Sequence, residues 1–311
     1  MRKTVSIIVP VYNEQENIHI LLQEIHSYMK PLPYQYQIVL VDDGSTDGTL
    51  AQIQLLTQGD TTLRYLSFSK NFGHQAALKA GLDVCQTDCC ISMDGDMQHP
   101  PELLPVLLQH REQGNDVVYT IREESTNLPY VKRVTSNLFY DLLNGLSSIE
   151  LDRGSADFRL LDKKVVQQLK QLQEYDIFFR GLVKWVGFRQ IGITYQSRER
   201  TRGTSKYTLK KMIRLALQGI TSFSIKPLYI ATYLGFVFSL LALAFVPYVL
   251  YSYYFGKAVS GWTSTIITIA FFGGLQLMIL GIIGIYLGKL FMQSKGRPLY
   301  IVQQAYLPNE A

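Results

Sequence analysis

Ile91-Ser92-Met93-Asp94-Gly95-Asp96-Met97-Gln98-His99-Pro100-Pro101-Glu102 is a short apolar run that stops abruptly at two carboxylates one residue apart. Such a run predicts a buried strand delivering acids at its carboxyl end, where open α/β sheets bind ligands. Asp94 and Asp96 repel each other unless a cation lies between them and a third party. A hard divalent ion, Mg²⁺ or Mn²⁺, carrying substrate phosphates is the usual solution. Alone, Asp-x-Asp also suits a solvated or helix-capping loop, so its neighbours decide.

Upstream, residues 5–9 are β-formers ending at Pro10. Asn13-x-x-Glu16 has capping-box form before the apolar series Ile18, Leu21, Leu22, Ile25 and Met29. Residues 38–41 form a second expected strand, closing on Asp42-Asp43-Gly44-Ser45, and Asp47 is placed to cap the next helix. Residues 63–68 predict a strand, 73–82 a helix, and 89–93 the strand of the opening stretch. Beyond Pro100-Pro101 come a helix to about His110, a strand over 116–121, an amphipathic segment over 130–146, and weaker strands over 158–161 and 189–195. Strands alternating with helices predict an α/β domain with a mostly parallel sheet covered on both faces.

The chain has 311 residues, 47% of them hydrophobic and 18% charged, with net charge +5. Residues 228–251 and 261–288 contain no Asp, Glu, Lys or Arg. Each exceeds the ~20 residues that cross a bilayer as a helix, so two transmembrane helices are expected. Lys206, Lys210, Lys211, Arg214 and Lys226 precede the first, Lys289, Lys295 and Arg297 follow the second, and Lys257 alone lies between. This bias predicts a multi-pass inner (plasma) membrane protein with head domain and both termini cytoplasmic. The N-terminus is too short in apolar residues for a signal peptide. Expected boundaries are 1–204 for the cytoplasmic domain, 205–226 for an amphipathic juxtamembrane segment, 227–290 for the helices and 291–311 for a tail. Cys85, Cys89 and Cys90, without a clustered His, predict buried free thiols rather than a disulfide or zinc site. Gly281, Gly284 and Gly288 in the second span, with a strand-like 299–302 that needs an edge, predict a homo-oligomer. Nucleic acid is not an expected partner.

Three acidic loops thus end strands: Asn13-Glu14, Asp42-Asp43 and Asp94/Asp96. A sugar nucleotide has ribose and base donors for Asp42-Asp43 and a metal-bridged diphosphate for Asp94 and Asp96. Val9-Pro-Val-Tyr-Asn-Glu14, Val41-Asp-Asp-Gly-Ser-Thr-Asp47, Lys70-Asn-Phe-Gly-His74, Met93-Asp-Gly-Asp-Met-Gln-His-Pro-Pro-Glu102 and Arg202-Gly-Thr-Ser-Lys-Tyr207 together resemble family-two glycosyltransferases of the dolichyl-phosphate mannose synthase type. With its two C-terminal spans the chain is most similar to bacterial polyprenyl-phosphate glucosyltransferases of O-antigen modification.

The resemblance implies a nucleotide-sugar-binding domain of GT-A type. It also implies inverting transfer of one sugar, glucose from UDP-glucose, to undecaprenyl phosphate at the cytoplasmic face. Pro10, Asn13, Glu14, Asp42, Asp43, Asp94, Asp96 and Gln98 would bind the nucleotide sugar, with Asp94 and Asp96 on the metal. Asp157, in Ser155-Ala-Asp-Phe-Arg159, matches the acidic position on the acceptor side, and Asp157, Asp96 and Arg202 would be catalytic. Arg122, Lys132, Arg133 and Arg202 would hold the acceptor phosphate. A flippase and a downstream glycosyltransferase are implied partners. No Gln-x-x-Arg-Trp motif of processive synthases is present, since Arg180 and Trp185 are not so spaced. Mannose, N-acetylglucosamine and an aminoarabinose derivative remain alternative sugars, and a catalytically silent nucleotide-sugar binder is the alternative class.

Overall fold

The computed structural model describes residues 3–123, 145, 152, 154–196, 219–255 and 261–308. The elements run β1 (Lys3–Val11), α1 (Ile18–Met29), β2 (Tyr34–Asp42), α2 (Thr49–Gly59), β3 (Leu63–Phe68), α3 (His74–Val84), β4 (Cys89–Ser92), α4 (Leu104–Glu112), β5 (Val117–Arg122) and β6 (Ser155–Asp162). They continue with α5 (Lys163–Gln171), α6 (Phe179–Trp185), β7 (Gln190–Tyr195), α7 (Lys226–Tyr254), α8 (Trp262–Ser294) and β8 (Val302–Tyr306). The expected strands and helices of the head domain that fall among the described residues therefore form, each within a few residues of its sequence-based limits.

One eight-stranded sheet has the order β7-β5-β6-β4-β1-β2-β3-β8. The pairs β1/β2, β1/β4, β2/β3 and β5/β7 are parallel, while β4/β6, β5/β6 and β3/β8 are antiparallel. Because β6 alone reverses within the β7-to-β3 block, its amino-terminal residues lie at the same sheet edge as the carboxyl ends of β1, β2, β4, β5 and β7. The chain leaves β1 toward β2 on one side and returns to β4 on the other. That switch opens the crevice in which such sheets bind ligands.

Two apolar layers sandwich the sheet. Ile7, Ile38 and Ile91 pack with Leu21, Ile25 and Leu107 on one face; Ile8, Val39 and Cys90 pack with Ala77, Leu78 and Val165 on the other. Burial on both faces explains why the central strands read as continuous apolar runs, and each fully buried Ile or Leu stabilises by roughly 1.5–3 kcal/mol.

Four expectations are corrected. Asn13 does not form a capping box with Glu16: helix α1 begins after Asn17 without a side-chain cap, and Asn13 reaches across to the β2 loop. Cys85 and Cys90 are joined as a disulfide, because the turn after α3 sets Cys85 over the face of β4 that carries Cys90. Cys89 stays free, and burial pushes its thiol up to about 12. Within the stretch 291–311, expected as a tail, residues 302–306 form β8, which pairs with β3 and supplies the sheet's eighth strand. The strand expected over 299–302 thus lies at 302–306 and has its pairing edge within the chain, which removes one of the two grounds for an oligomer.

Helices α7 and α8 include stretches Lys226–Phe245 and Ile267–Ser294, each with mean hydropathy 2.1 and almost none of it buried. Both are long and apolar enough to cross a membrane. Among the described residues, a Cβ added at Gly281, Gly284 or Gly288 would meet nothing within 4 Å, so this glycine face is not packed on the described part of α7. The segments 130–144 and 205–218 lie outside the described residues.

Candidate active site

Gly95 sits where the turn after β4 crosses the end of β1. A Cβ there would lie 2.8 Å from Val11 Cγ1 and 3.2 Å from the Pro10 carbonyl oxygen, so the close approach requires glycine. Two residues on, Met97 is held at φ 62°, a left-handed conformation that non-glycine residues adopt at a cost of about 1–3 kcal/mol. The turn is tied further by Gln98 N–H donating to Asp96 Oδ1 at 3.1 Å.

His99 braces Asp94 from beneath. Its Nδ1 accepts the Asp94 amide, its Nε2 faces the Asp94 carboxylate, and its ring is stacked on Phe158 with centroids 5.1 Å apart. From above, His74 at the start of α3 points Nε2 at Asp94 Oδ1 (3.4 Å) and at Asp157 Oδ2 (3.8 Å). Asp94 Oδ1 is nonetheless a shielded oxygen without a hydrogen-bond partner, as a position awaiting a cation would be. No three His, Cys, Asp or Glu side chains converge into a metal cage among the described residues.

Asp157 is 4% exposed, on β6. Arg180 grips it in a two-pronged pair, Nε to Oδ1 at 3.0 Å and Nη2 to Oδ2 at 2.9 Å. Behind it Arg159 Nη2 lies 3.6 Å from Asp157 Oδ1 and donates to the Ala156 carbonyl. Burial would raise the Asp157 carboxyl, yet Arg180, with Arg159 and His74, holds it well below the usual carboxylate range. Arg159, fully enclosed, is pulled down to about 10 by burial, with Asp157 opposing. Asp157 is therefore a fixed anion in a cationic clamp, not a free base.

Tyr195 closes the crevice at the end of β7. Burial pushes its phenol up to about 12; Asp94 and Asp96 add to this, while Arg122 and Arg180 oppose it. The two acids and the two arginines thus act on one hydroxyl. Arg122 is exposed at the end of β5, in register with Tyr195.

The β1 and β2 loops make the other wall. Asn13, at φ 55°, donates its amide to Ser45 Oγ and accepts the Thr46 amide on Oδ1. Glu14 accepts from Asn17 Nδ2 at 2.6 Å. Asp42 receives Ser45 N–H on Oδ1 and Ser67 Oγ–H on Oδ2. Asp43 receives the amides of Phe72 and Gly73; burial nevertheless leaves its carboxyl raised. These acids are already committed to fixing the loops around the crevice.

The structure thus brings together Pro10, Asn13, Glu14, Asp42, Asp43, Asp94, Asp96, Gln98, Arg122 and Asp157 at one sheet edge. Lys132, Arg133 and Arg202 lie outside the described residues. Sequence reasoning assigned no role to His74, His99, Arg180 or Tyr195. The two histidines stood within quoted motifs, but nothing in the spacing of Arg180 pointed to Asp157.

A predominantly parallel sheet with an Asp-x-Asp turn at its switch point and a clamped acid opposite defines a nucleotide-sugar-binding domain of GT-A type. The model of glycosyl transferase family 2 matches residues 6–170, and the chain belongs to that family. It is 40% identical to the uncharacterized glycosyltransferase YkcC of Bacillus subtilis, over 97% of this chain and 94% of the relative. It is 37% identical to the SfII prophage-derived bactoprenol glucosyl transferase of Shigella flexneri, over 98% of this chain and 99% of the relative. It is 36% identical to a prophage bactoprenol glucosyl transferase homolog of Escherichia coli K12, over 96% of this chain and 98% of the relative.

Proposed function

We propose that this protein transfers a single glucosyl unit from UDP-glucose to undecaprenyl phosphate, with inversion, at the cytoplasmic face of the inner membrane. The observation that carries the reading is the Asp157–Arg180 pair beside Asp94. An alcohol acceptor requires a base, whereas a phosphate monoester, with its second pKa near about 6, arrives already deprotonated. A reaction centre whose buried Asp157 is locked as an anion suits the second kind of nucleophile. The near full-length similarity to bactoprenol glucosyl transferases supports the same acceptor and sugar.

Asp94 and Asp96 would hold a Mg²⁺ or Mn²⁺ ion, which would supply positive charge to the departing UDP. His99 and His74 keep the Asp94 carboxylate in place, and Gln98 fixes Asp96. Pro10, Asn13, Glu14, Asp42 and Asp43 shape the nucleoside wall. Arg122, joined by Lys132, Arg133 and Arg202, offsets the repulsion between acceptor phosphate and donor diphosphate, which is roughly 4 kcal/mol for two unit charges ~4 Å apart at an effective dielectric of 20. An acceptor oxygen forms the bond to the glucosyl anomeric carbon as the bond to the UDP oxygen breaks, and no proton is transferred. The two apolar helices span the membrane, and the open glycine face of α8 is the surface for a second copy.

The test is to supply full-length protein in vesicles with undecaprenyl phosphate and labelled UDP-glucose, UDP-N-acetylglucosamine, GDP-mannose and a UDP-aminoarabinose derivative, then to extract lipid. Label from UDP-glucose is expected. Label from another donor alone overturns the sugar, and no labelled lipid from any donor overturns the reaction.

A further inference from the structure

Arg180, which holds Asp157, lies just after a segment fastened to the base of the second apolar helix. Just before it, Lys289 Nζ on α8 pairs with Asp176 Oδ2 at 2.8 Å. One turn further along α8, Gln293 donates to the Gln173 carbonyl and accepts the Tyr175 amide, both at 2.6 Å. The same stretch of α8 holds the residues that lead into α7: Tyr286 OH donates to the Ser224 carbonyl at 2.7 Å, and Lys289 Nζ donates to Ser222 Oγ at 3.0 Å.

Between these fastenings lies Phe223. Its ring meets Phe178 edge-on, centroids 6.0 Å apart, and occupies the space where residue 181 lacks a side chain: a Cβ on Gly181 would fall 2.4 Å from the ring. Gly181 directly follows Arg180. The backbone carrying the Asp157 clamp is therefore trapped between the β6 acid on one side and an aromatic plug from the membrane-proximal chain on the other. A packed contact of this kind transmits displacement rather than absorbing it.

We propose that the seating of Phe223 on Gly181, at the base of α8, sets the grip of Arg180 on Asp157, so that the transfer centre is assembled by docking of the apolar helices on the catalytic domain. Arg180 and Phe223 are then positioning residues for the acceptor half of the site. This rests on the transfer reaction proposed above. The donor half, built on β1, β2 and β4, does not pass through this contact and stays intact when it is loosened.

The experiment uses the full-length protein in vesicles containing undecaprenyl phosphate. Turnover is measured with each substrate varied in turn, UDP binding with Mn²⁺ by calorimetry, and amide exchange over 178–185. Arg180→Lys keeps the charge but not the fork and is expected to lower kcat by about 30-fold or more, the scale of a lost two-pronged contact. Phe223→Ala and Gly181→Ala should each lower kcat by about tenfold, with UDP affinity within about twofold of wild type and faster exchange over 178–185. Phe223→Tyr retains the ring and should restore turnover. Because both substitutions unseat the same contact, the double variant should be no slower than Phe223→Ala alone.

Wild-type turnover in Phe223→Ala, fully multiplicative losses in the double variant, or a parallel loss of UDP affinity overturns the inference; the last would make the plug a general folding contact. If the wild type labels no lipid from any sugar nucleotide, the transfer reaction fails. Exchange then decides the coupling, and unchanged protection of 178–185 in Phe223→Ala overturns it.

Discussion

His99 holds Asp94 by both ends: its Nδ1 accepts the Asp94 amide at 2.9 Å, and its Nε2 stands 3.6 Å from the Asp94 Oδ2. A ring so placed fixes the direction in which the carboxylate points. His99→Phe keeps the stack on Phe158 but removes both nitrogens. It should fold like wild type and bind UDP with Mn²⁺ about tenfold more weakly, the usual scale for losing a group that orients a metal ligand. Calorimetry decides this, and equal affinity removes His99 from the site.

Activity should require a divalent cation, and Asp96→Ala should abolish it, since charge grows on the diphosphate as it departs. Full turnover in excess chelator would exclude that requirement.

Asp157 titrates below its unfolded value. The stability it contributes is therefore complete above the unfolded pKa of about 3.9 and is lost as pH falls through the folded one. From about pH 5 upward it remains ionised, so turnover should show no limb belonging to this group. Asp157→Asn leaves Arg159 and Arg180 without their counter-charge and should cost roughly 3–5 kcal/mol in stability, yet retain measurable transfer. A limb near neutrality that vanishes in Asp157→Asn would make this residue a proton acceptor after all.

Asp42 is almost wholly enclosed and spends both oxygens on Ser45 and Ser67. Asp42→Ala should destabilise the domain by about 1–3 kcal/mol, because two donors lose their acceptor. Thermal unfolding measures that, and a variant as stable as wild type would show the carboxylate to be free for the nucleotide.

Removing residues from 299 onward should expose the β3 edge. Tyr300, which stacks on Phe68 at 5.1 Å and donates to Asp83 Oδ2 at 2.9 Å, is lost with it. Such a chain should aggregate in mild detergent while the full chain stays dispersed, a difference that gel filtration resolves.

What was legible in the sequence was whatever depends on local order. Ile18, Leu21, Leu22, Ile25 and Met29 announced α1 by spacing and are its buried face, and the apolar strands announced their acids because each loop follows its own strand directly. What was hidden depends on contacts between distant segments. Asp157 and Arg180 lie on different elements, Asn13 turns from the helix that follows it to Thr46, and Cys85 meets Cys90 only because the turn after α3 brings it back to β4. The glycine at position 181 had no visible purpose until Phe223 arrived to fill its place.

The pairing of β8 with β3 also orders events in time. Residues 302–306 follow both apolar helices in the chain, whereas their partner 63–68 precedes them. On the ribosome, β1 through β7 emerge first and leave β3 as an open margin. That margin finds its final neighbour only once α7 and α8 have themselves been made. Synthesis therefore passes through a head domain lacking its last strand, and a chain stalled within either helix displays an unpaired strand to its surroundings. The closing strand thus doubles as a receipt for completed translation of the helices.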